Sequence, residues 1–398
     1  MKHGKVAAMA FMLALVLLSA VAVPITANPA SRRESLRAYI DAHYDAVDGG
    51  YIIPDSEFSQ TEPTFAATAI LYEWQLVGVR PPIVDWVKMT NFTTKLQRVD
   101  DSESKERYGG FAESILASSE VGQKATYDAV NLYGMLELQT DIPGIGDSTI
   151  NKTAVLVWIN ETQSVSGGFS SEPGISPDMI STFYALHTMD KVLQDLPGET
   201  LDDWLFDRTE TVDWIMSSME GDAFKLSPTS SISGVSSTAA AMMALNILES
   251  LPSSTVRQSV LDWILDRQIT SSVPGTLIGG FEESVSTNDT NVVSTYWALE
   301  ALDTFGIVDQ VDDEIAARFI LDCQAVDGSW GLVPGFDKGT LYYGYYAVRS
   351  LGLLGQGDML LEEDPNNPPL PLFDWRTILA VVVLLAAAAA GFASIRMD

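Results

Sequence analysis

A Gly-Gly-aromatic turn recurs along this chain and limits what the chain can fold into more than any other feature. Clear copies occupy residues 49–51, 109–111, 167–169 and 279–281, and weaker copies end at Phe224 and Trp330. From one aromatic residue to the next, the step is 49 to 60 residues. Segments with apolar residues at three- and four-residue intervals flank each turn, which predicts a pair of helices around it. One such pair cannot bury its own apolar surface, so the six copies must stack on one another.

The two helices of each pair differ in character. Those before the turns keep a charged face, as with Asp262 and Asp266, whereas those after the turns are apolar on most sides, as in residues 239–245. A helix that is apolar nearly all round belongs inside a protein. We therefore predict an all-α fold over residues 32–357, an (α/α)6 toroid in which outer helices surround a ring of inner ones. An open solenoid is the alternative, but neither end copy carries the polar cap that it would need.

One stretch of the last repeat resembles a known family. Residues 324–330, Gln-Ala-Val-Asp-Gly-Ser-Trp, resemble the Gln-to-Trp repeat motif of squalene cyclases. The spacing of the six units, and residues 319–355 in particular, is similar to the β subunits of protein prenyltransferases. The resemblance covers residues 32–357 and implies the α/α toroid fold. That fold hosts isoprenoid cyclases, protein prenyltransferases and thioester-containing binding domains, so the resemblance says much less about chemistry.

The zinc site of protein prenyltransferases is not retained at the positions that the resemblance assigns to it. An Asp-x-Cys pair and a His hold the metal in that family, and here Asn291, Val293 and Tyr343 stand in their places. None of these side chains supplies the thiolate or imidazole that zinc prefers. The family's basic diphosphate-binding residues correspond to residues 282–286, which carry two carboxylates. We predict no metal and no cofactor, and no zinc-dependent prenyltransferase activity.

Other chemistries that the fold hosts also lack their motifs. The acid motif Asp-x-Asp-Asp of cyclases has only poorly spaced matches, at residues 202–207 and 309–313. The only cysteine, Cys323, lies in an apolar segment without the sequence of a thioester site, so we predict a buried structural thiol.

Aromatic side chains in the predicted inner helices are the candidate ligand-binding residues. Those early in the fifth and sixth inner helices, where the family places its reaction centre, come first. The candidates are Trp297, Tyr342, Tyr343, Tyr296, Tyr127 and Tyr184. The alternative is that these rings only pack the core. The ligand class stays open between a peptide, a carbohydrate and an apolar molecule.

The sequence patterns at the two ends of the chain predict that the protein is exported and anchored in a membrane. Residues 1–27 read as a signal peptide, with Lys2 and Lys5 before an apolar run. Residues 358–375 read as a stalk, and residues 376–396 contain a run of 19 uncharged residues, enough to cross a bilayer as a helix. We expect a single-pass cell-membrane protein with its domain on the extracellular side. The glycosylation candidates are Asn91, Asn151, Asn160 and Asn288.

Charge narrows the choice of partners. The chain has 53 acidic and 23 basic residues, a formal net charge of −30. Such a charge repels nucleic acid, so we predict no nucleic-acid partner. The sequence as a whole predicts a membrane-anchored extracellular toroid that acts as a binding or interaction module. The alternative is an enzyme that uses the toroid cavity, either similar to terpenoid cyclases and prenyltransferases or acting on polysaccharides.

Overall fold

The computed structural model describes residues 31–366 apart from residues 55, 76–83, 101–105, 117, 140–141, 272–276 and 286–288. The signal peptide at 1–27, the span at 376–396 and the stalk beyond residue 366 lie outside these residues. Within the described ranges, no helix is long and apolar enough to span a membrane. Arg32–Glu362 form one compact unit. Of the second unit, Met1–Ser31 with Glu363–Asp398, the described residues include an antiparallel bridge between Ser31 and Glu363.

Twelve helices of ten residues or more alternate between an outer and an inner layer in the described chain. The outer helices are α1 (Arg32–Ala42), α3 (Trp86–Leu96), α5 (Lys152–Thr162), α7 (Arg208–Ser217), α9 (Ser254–Leu265) and α11 (Asp313–Asp322). The inner helices are α2 (Thr61–Gln75), α4 (Gln123–Glu137), α6 (Met179–Leu193), α8 (Val235–Ile247), α10 (Val292–Thr304) and α12 (Leu341–Leu353). One further helical turn, Leu201–Trp204, precedes α7.

The inner helices form a closed ring. Each packs against the next, and α12 packs against α2, so the first and last repeats are neighbours. The predicted toroid is confirmed, and the open solenoid is wrong because its end repeats would not touch. The apolar character of the inner helices follows from this position, as in α8, where residues 239–245 are all buried.

The turns between outer and inner helices are fixed by a shared hydrogen bond. In five of the six turns, the backbone N–H of the aromatic residue donates to a threonine hydroxyl in the first turn of the following inner helix, at 2.8 to 3.1 Å. These threonines are Thr64, Thr126, Thr182, Thr238 and Thr295. The last inner helix has Gly344 at this place, and there Trp330 donates its indole N–H to the carbonyl of Ile320 at 2.8 Å. All six aromatic side chains are completely buried.

Two glycines show why the turns require this residue. Gly167 has φ +100°, and a Cβ there would lie 2.2 Å from the carbonyl oxygen of Glu210 in the next outer helix. Gly328 has φ +87°, and its Cβ would lie 2.4 Å from the carbonyl oxygen of Ser35. Ser35 belongs to α1, so the last turn packs directly against the first outer helix. The outer layer therefore closes as the inner ring does.

Shorter elements complete the described chain. The fourth turn is a hairpin of two strands, β1 (Met219–Glu220) and β2 (Ala223–Phe224), with Met219 paired to Phe224. Turns of 3-10 helix lie at Ile145–Asp147, Val308–Gln310 and Gly357–Leu361. The last of these packs against α1 and α12 and buries Leu360. The segment that we expected to be a stalk from residue 358 thus begins as part of the packed toroid.

Candidate functional site

An aromatic layer fills the middle of the ring. Its rings come from the fifth and sixth positions of five inner helices and contact one another with centroids 4.3 to 6.4 Å apart, in tilted or edge-on pairs. The layer consists of Phe65, Tyr127, Phe183, Tyr184, Tyr296, Trp297, Tyr345 and Tyr346. The remaining inner helix, α8, supplies only Ala239 and Ala240 at these positions, both fully buried.

A cavity of about 370 Å³ lies on the side of this layer toward the C-terminal ends of the inner helices. Five rings of the layer line it: Tyr127, Phe183, Tyr296, Trp297 and Tyr345. One helical turn further along, the ninth residues of five inner helices form its wall: Asn131, His187, Met243, Glu300 and Arg349. Asn246, Ile247 and Thr304 complete the lining. The cavity therefore has an aromatic base and a mixed polar wall, the usual composition of a small-molecule site.

Glu300 and Arg349 form an ion pair in that wall. Arg349 Nε lies 2.8 Å from Glu300 Oε1, and both side chains are partly buried. A guanidinium with a carboxylate at hydrogen-bond distance presents little net charge to the cavity. The pair leaves the cavity polar without making it a site for anions.

His187 contributes a neutral imidazole to the same wall. Its ring lies 5.1 Å from that of Tyr127 and 5.6 Å from that of Phe183, between centroids. Burial, with a smaller effect from Lys191, lowers the pKa of His187 to about 4. Nδ1 is buried and has no hydrogen-bond partner among the described residues. At neutral pH the ring is therefore uncharged and has one donor and one acceptor nitrogen.

The other side of the aromatic layer, toward the turns, is occupied by a lysine and carboxylates. Lys124 Nζ lies 2.7 Å from Asp128 Oδ2, 3.5 Å from Glu62 Oε1 and 3.9 Å from the centre of the Tyr342 ring. Asp128 is fully buried, and burial raises the pKa of Asp128 to about 7 although the Lys124 ammonium acts in the opposite direction. Its Oδ1 has no partner in the described part of the chain.

The six predicted aromatic residues fall into three groups. Tyr127, Tyr296 and Trp297 line the cavity. Tyr184 belongs to the aromatic layer, and Tyr342 packs on Tyr346 at 4.4 Å on the turn side. Tyr343 lies half-buried at the start of α12. It contacts none of the rings of the layer and does not line the cavity, so it is not placed where we expected it.

The polar residues of the cavity wall were not predicted from the sequence. Asn131, His187, Glu300 and Arg349 each stand four residues after an aromatic residue of the layer. Residues four apart lie one above the other on a helix. The same spacing could have pointed to these four residues once the inward-facing rings were known.

The positions that the resemblance assigns to zinc ligands have other roles here. Asn291 caps α10, where its Oδ1 accepts hydrogen bonds from the N–H groups of Val293 and Ser294, both at 2.9 Å. Val293 and Tyr343 are half-buried. Among the described residues, no group of three or more His, Cys, Asp or Glu side chains could hold a metal ion.

The structure describes Cys323 and three of the four glycosylation candidates. Cys323 is buried, as predicted, and burial raises its pKa. Asn151 caps α5 by accepting from the N–H of Ala154, and Asn160 Nδ2 donates to the carbonyl of Trp204 at 2.6 Å. Asn91 accepts a hydrogen bond from Ser148. Asn288 lies outside the described residues.

Comparison with known proteins agrees with this architecture. The sequence matches the prenyltransferase alpha-alpha toroid domain family over residues 2–206 and 175–375. A search of curated protein sequences finds no match.

Three solved structures illustrate the range of proteins with a similar fold. Protein geranylgeranyltransferase-I from Candida albicans, complexed with GGPP, is 16% identical with a TM-score of 0.63, over 85% of this chain and 95% of that one. A type II terpene cyclase from Scytonema, with the product merosterolic acid A, is 11% identical with a TM-score of 0.51, over 82% and 96%. A GH76 α-mannanase from Bacteroides thetaiotaomicron is 9% identical with a TM-score of 0.56, over 82% and 94%. At these identities the likeness shows the fold alone.

Proposed function

Since the chain belongs to the prenyltransferase alpha-alpha toroid domain family, we propose that it is a ligand-binding toroid whose cavity holds a small amphiphilic molecule with an uncharged polar end. The observation that carries the proposal is the cavity itself, with five aromatic rings at its base and a polar wall one helical turn above them.

The aromatic base favours an apolar body in the ligand. Rings such as Trp297 and Tyr127 contribute through buried apolar area and through stacking, and the tyrosine hydroxyls add orientation. The cyclase and the geranylgeranyltransferase with a similar fold hold a terpenoid product and GGPP, respectively. An apolar chain or ring system in this cavity is consistent with those ligands.

The polar wall favours an uncharged end. Arg349 is already paired with Glu300, so it is a poor partner for a diphosphate. His187 is neutral, and Asn131 and Asn246 offer amides. The net charge of −30 also opposes an anionic ligand. A hydroxyl group, which both donates and accepts, matches these partners.

Binding is favoured over catalysis by the number of carboxylates at the cavity. Glycoside hydrolysis uses two carboxyl groups on either side of the bond that breaks. Glu300 alone supplies a carboxylate to the lining in the described part of the chain, and it is paired with Arg349. The positions assigned to zinc ligands by resemblance carry Asn291, Val293 and Tyr343, so zinc-assisted transfer is not proposed either.

A titration with two matched probes tests the proposal. Residues 31–366, which contain the whole compact unit, are titrated with geranylgeraniol and with geranylgeranyl diphosphate while tryptophan fluorescence is followed. We expect the alcohol to bind at least about tenfold more tightly, since a buried unpaired anion costs more than a hydroxyl. His187→Leu should weaken binding of the alcohol by up to about tenfold, the value of one hydrogen bond, whereas His43→Leu in the first outer-to-inner turn should not. Equal or better binding of the diphosphate contradicts the uncharged end.

We also propose that the toroid is held at the cell membrane with its domain outside. Support comes from the uncharged run within residues 376–396 and the apolar run within residues 1–27. Protease added to intact cells should then degrade the toroid of the full-length protein. Protection of the toroid under conditions where a known surface protein is cleaved would contradict this location.

A further inference from the structure

Exposed apolar side chains concentrate at one end of the toroid. Of the 18 large hydrophobic side chains that are exposed in the described residues, 14 lie in the six turns that lead from an outer to an inner helix. Because outer and inner helices alternate in direction, all six turns lie at the same end. Scattered exposed hydrophobic residues are normal on a protein surface, but such an accumulation at one end marks a contact surface.

Three of these side chains occupy the same position in their repeats. Val47, Val165 and Val326 each stand two residues before the first glycine of a turn and are 84%, 97% and 52% exposed. The shared turn geometry explains why this position points outward. It gives no reason for the residue there to be aliphatic, since a polar side chain would be better solvated.

An open groove of about 560 Å³ lies at this end, between the third and fourth turns. Trp214 forms part of its wall, and Ser166, Ser176 and Ser227 lie along it. An exposed apolar residue directly precedes each of these serines in the chain. Val165 precedes Ser166, Ile175 precedes Ser176 and Leu226 precedes Ser227, so each of these exposed aliphatic residues is one residue away from the groove lining.

The groove also carries two available carboxylates. Glu210 and Asp213 line it, stand three residues apart on α7 and are exposed. Neither takes part in an ion pair within the described chain. Around them, carboxylates outnumber lysine and arginine in each of the six turns. A cationic partner is therefore electrostatically complementary to this end, whereas a second copy of the same end would be repelled.

We infer that this groove is a docking site for an extended segment of a partner protein that presents lysine or arginine beside aliphatic side chains. The aliphatic side chains of the partner segment pack on Val165, Ile175 and Trp214, and its lysine or arginine side chains pair with Glu210 and Asp213. The serine hydroxyls supply hydrogen bonds to the backbone of the segment. The compact unit begins at Arg32 and ends at Glu362, both at the end of the helices opposite the groove.

Labelled model peptides test the inference on the full-length chain in a neutral detergent. The probe is an acetylated hexapeptide of alternating Lys and Val, and the matched controls alternate Glu with Val and Lys with Ser. We expect fluorescence anisotropy to show binding of the Lys–Val peptide only, and weaker binding as salt is raised.

Paired substitutions locate the binding to the groove. Val165→Ser with Ile175→Ser, and separately Glu210→Gln with Asp213→Asn, should each weaken the Lys–Val peptide at least about tenfold. The second pair should also flatten the salt dependence. Leu138→Ser, at the opposite end and 65% exposed, is the matched control and should have no effect.

Three results would overturn the inference. They are equal binding of the Glu–Val peptide, unchanged binding by both pairs of variants, or displacement of the peptide by mannohexaose, which would make the groove a glycan site. All substituted side chains are exposed, so melting curves should show that each variant is folded.

Discussion

Two hydrogen bonds join Gln324, which follows the last outer helix, to Arg32, which begins the first one. Gln324 Nε2 donates to the Arg32 carbonyl at 2.9 Å, and Arg32 Nη1 donates to Gln324 Oε1 at 3.2 Å. Equivalent glutamines join other outer helices to the segment that begins the next one: Gln97 with Asn151, Gln163 with Thr211, and Gln268 with Asp312. The toroid therefore closes with the same contact that joins its internal repeats.

Replacing this glutamine should destabilise the whole toroid. Gln324 is buried, and Gln324→Ala would leave the carbonyl of Arg32 without the Gln324 donor. We expect a loss of about 1–3 kcal/mol in the free energy of unfolding, measured by urea denaturation. Gln97→Ala is the matched control inside the ring and should cost a similar amount. A negligible cost for Gln324→Ala beside a large one for Gln97→Ala would mean that the ring is open in solution.

The repeat architecture could be predicted because its signals are local. A positive φ and a close approach of two backbones both require glycine, so the turns stand out in the sequence at Gly167 and Gly328. The alternation of amphipathic and nearly uniformly apolar helices follows from the two layers. The number of repeats favours closure of the ring, and the contact between Gln324 and Arg32 joins the first and last repeats.

The candidate site was harder to predict because it depends on closure of the ring. Glu300 and Arg349 are 49 positions apart and belong to different repeats. Alone on its helix, each looks like an ordinary solvated charge, and only the packing of α10 against α12 turns them into a pair. Likewise, His187 becomes a buried neutral ring only when Tyr127 from the neighbouring helix covers it.

Helix phase explains the different placement of Tyr343. Tyr342, Tyr345 and Tyr346 follow the three- and four-residue spacing of one helix face, and all three rings contact each other. Tyr343 is rotated by about 100° from Tyr342 around α12. Tyr343 therefore lies off the helix face that Tyr342, Tyr345 and Tyr346 share.

The buried Asp128 should make stability depend on pH. In an unfolded chain its pKa is about 3.9, and in the folded protein burial raises the pKa to about 7. Between these values the folded state keeps a proton that the unfolded state has lost. The contribution of Asp128 to stability is therefore fully present below about pH 4 and is lost as the pH rises to about 7.

Asp128→Asn isolates this contribution, since the amide resembles the protonated acid at every pH. The free energy of unfolding of the native protein should fall relative to that of the variant between pH 4.5 and pH 7.5, measured by urea denaturation at several pH values. Asp309→Asn, at an exposed position in the 3-10 turn between α10 and α11, is the control and should follow the native curve. Native and Asp128→Asn curves that stay parallel would show that Asp128 titrates normally.

Two tyrosines of α12 that are two residues apart should respond differently to removal of a hydroxyl. The Tyr345 hydroxyl lies 3.4 Å from that of Tyr296, and both rings line the cavity. Tyr345→Phe should therefore lower the free energy of unfolding by about 1 kcal/mol and weaken binding of geranylgeraniol. The Tyr343 hydroxyl makes no hydrogen bond within the described residues and lies outside the cavity lining, so Tyr343→Phe should change neither quantity. Thermal melts beside the fluorescence titration compare the two variants. If Tyr343→Phe alters binding and Tyr345→Phe does not, the ligand enters along the other face of α12.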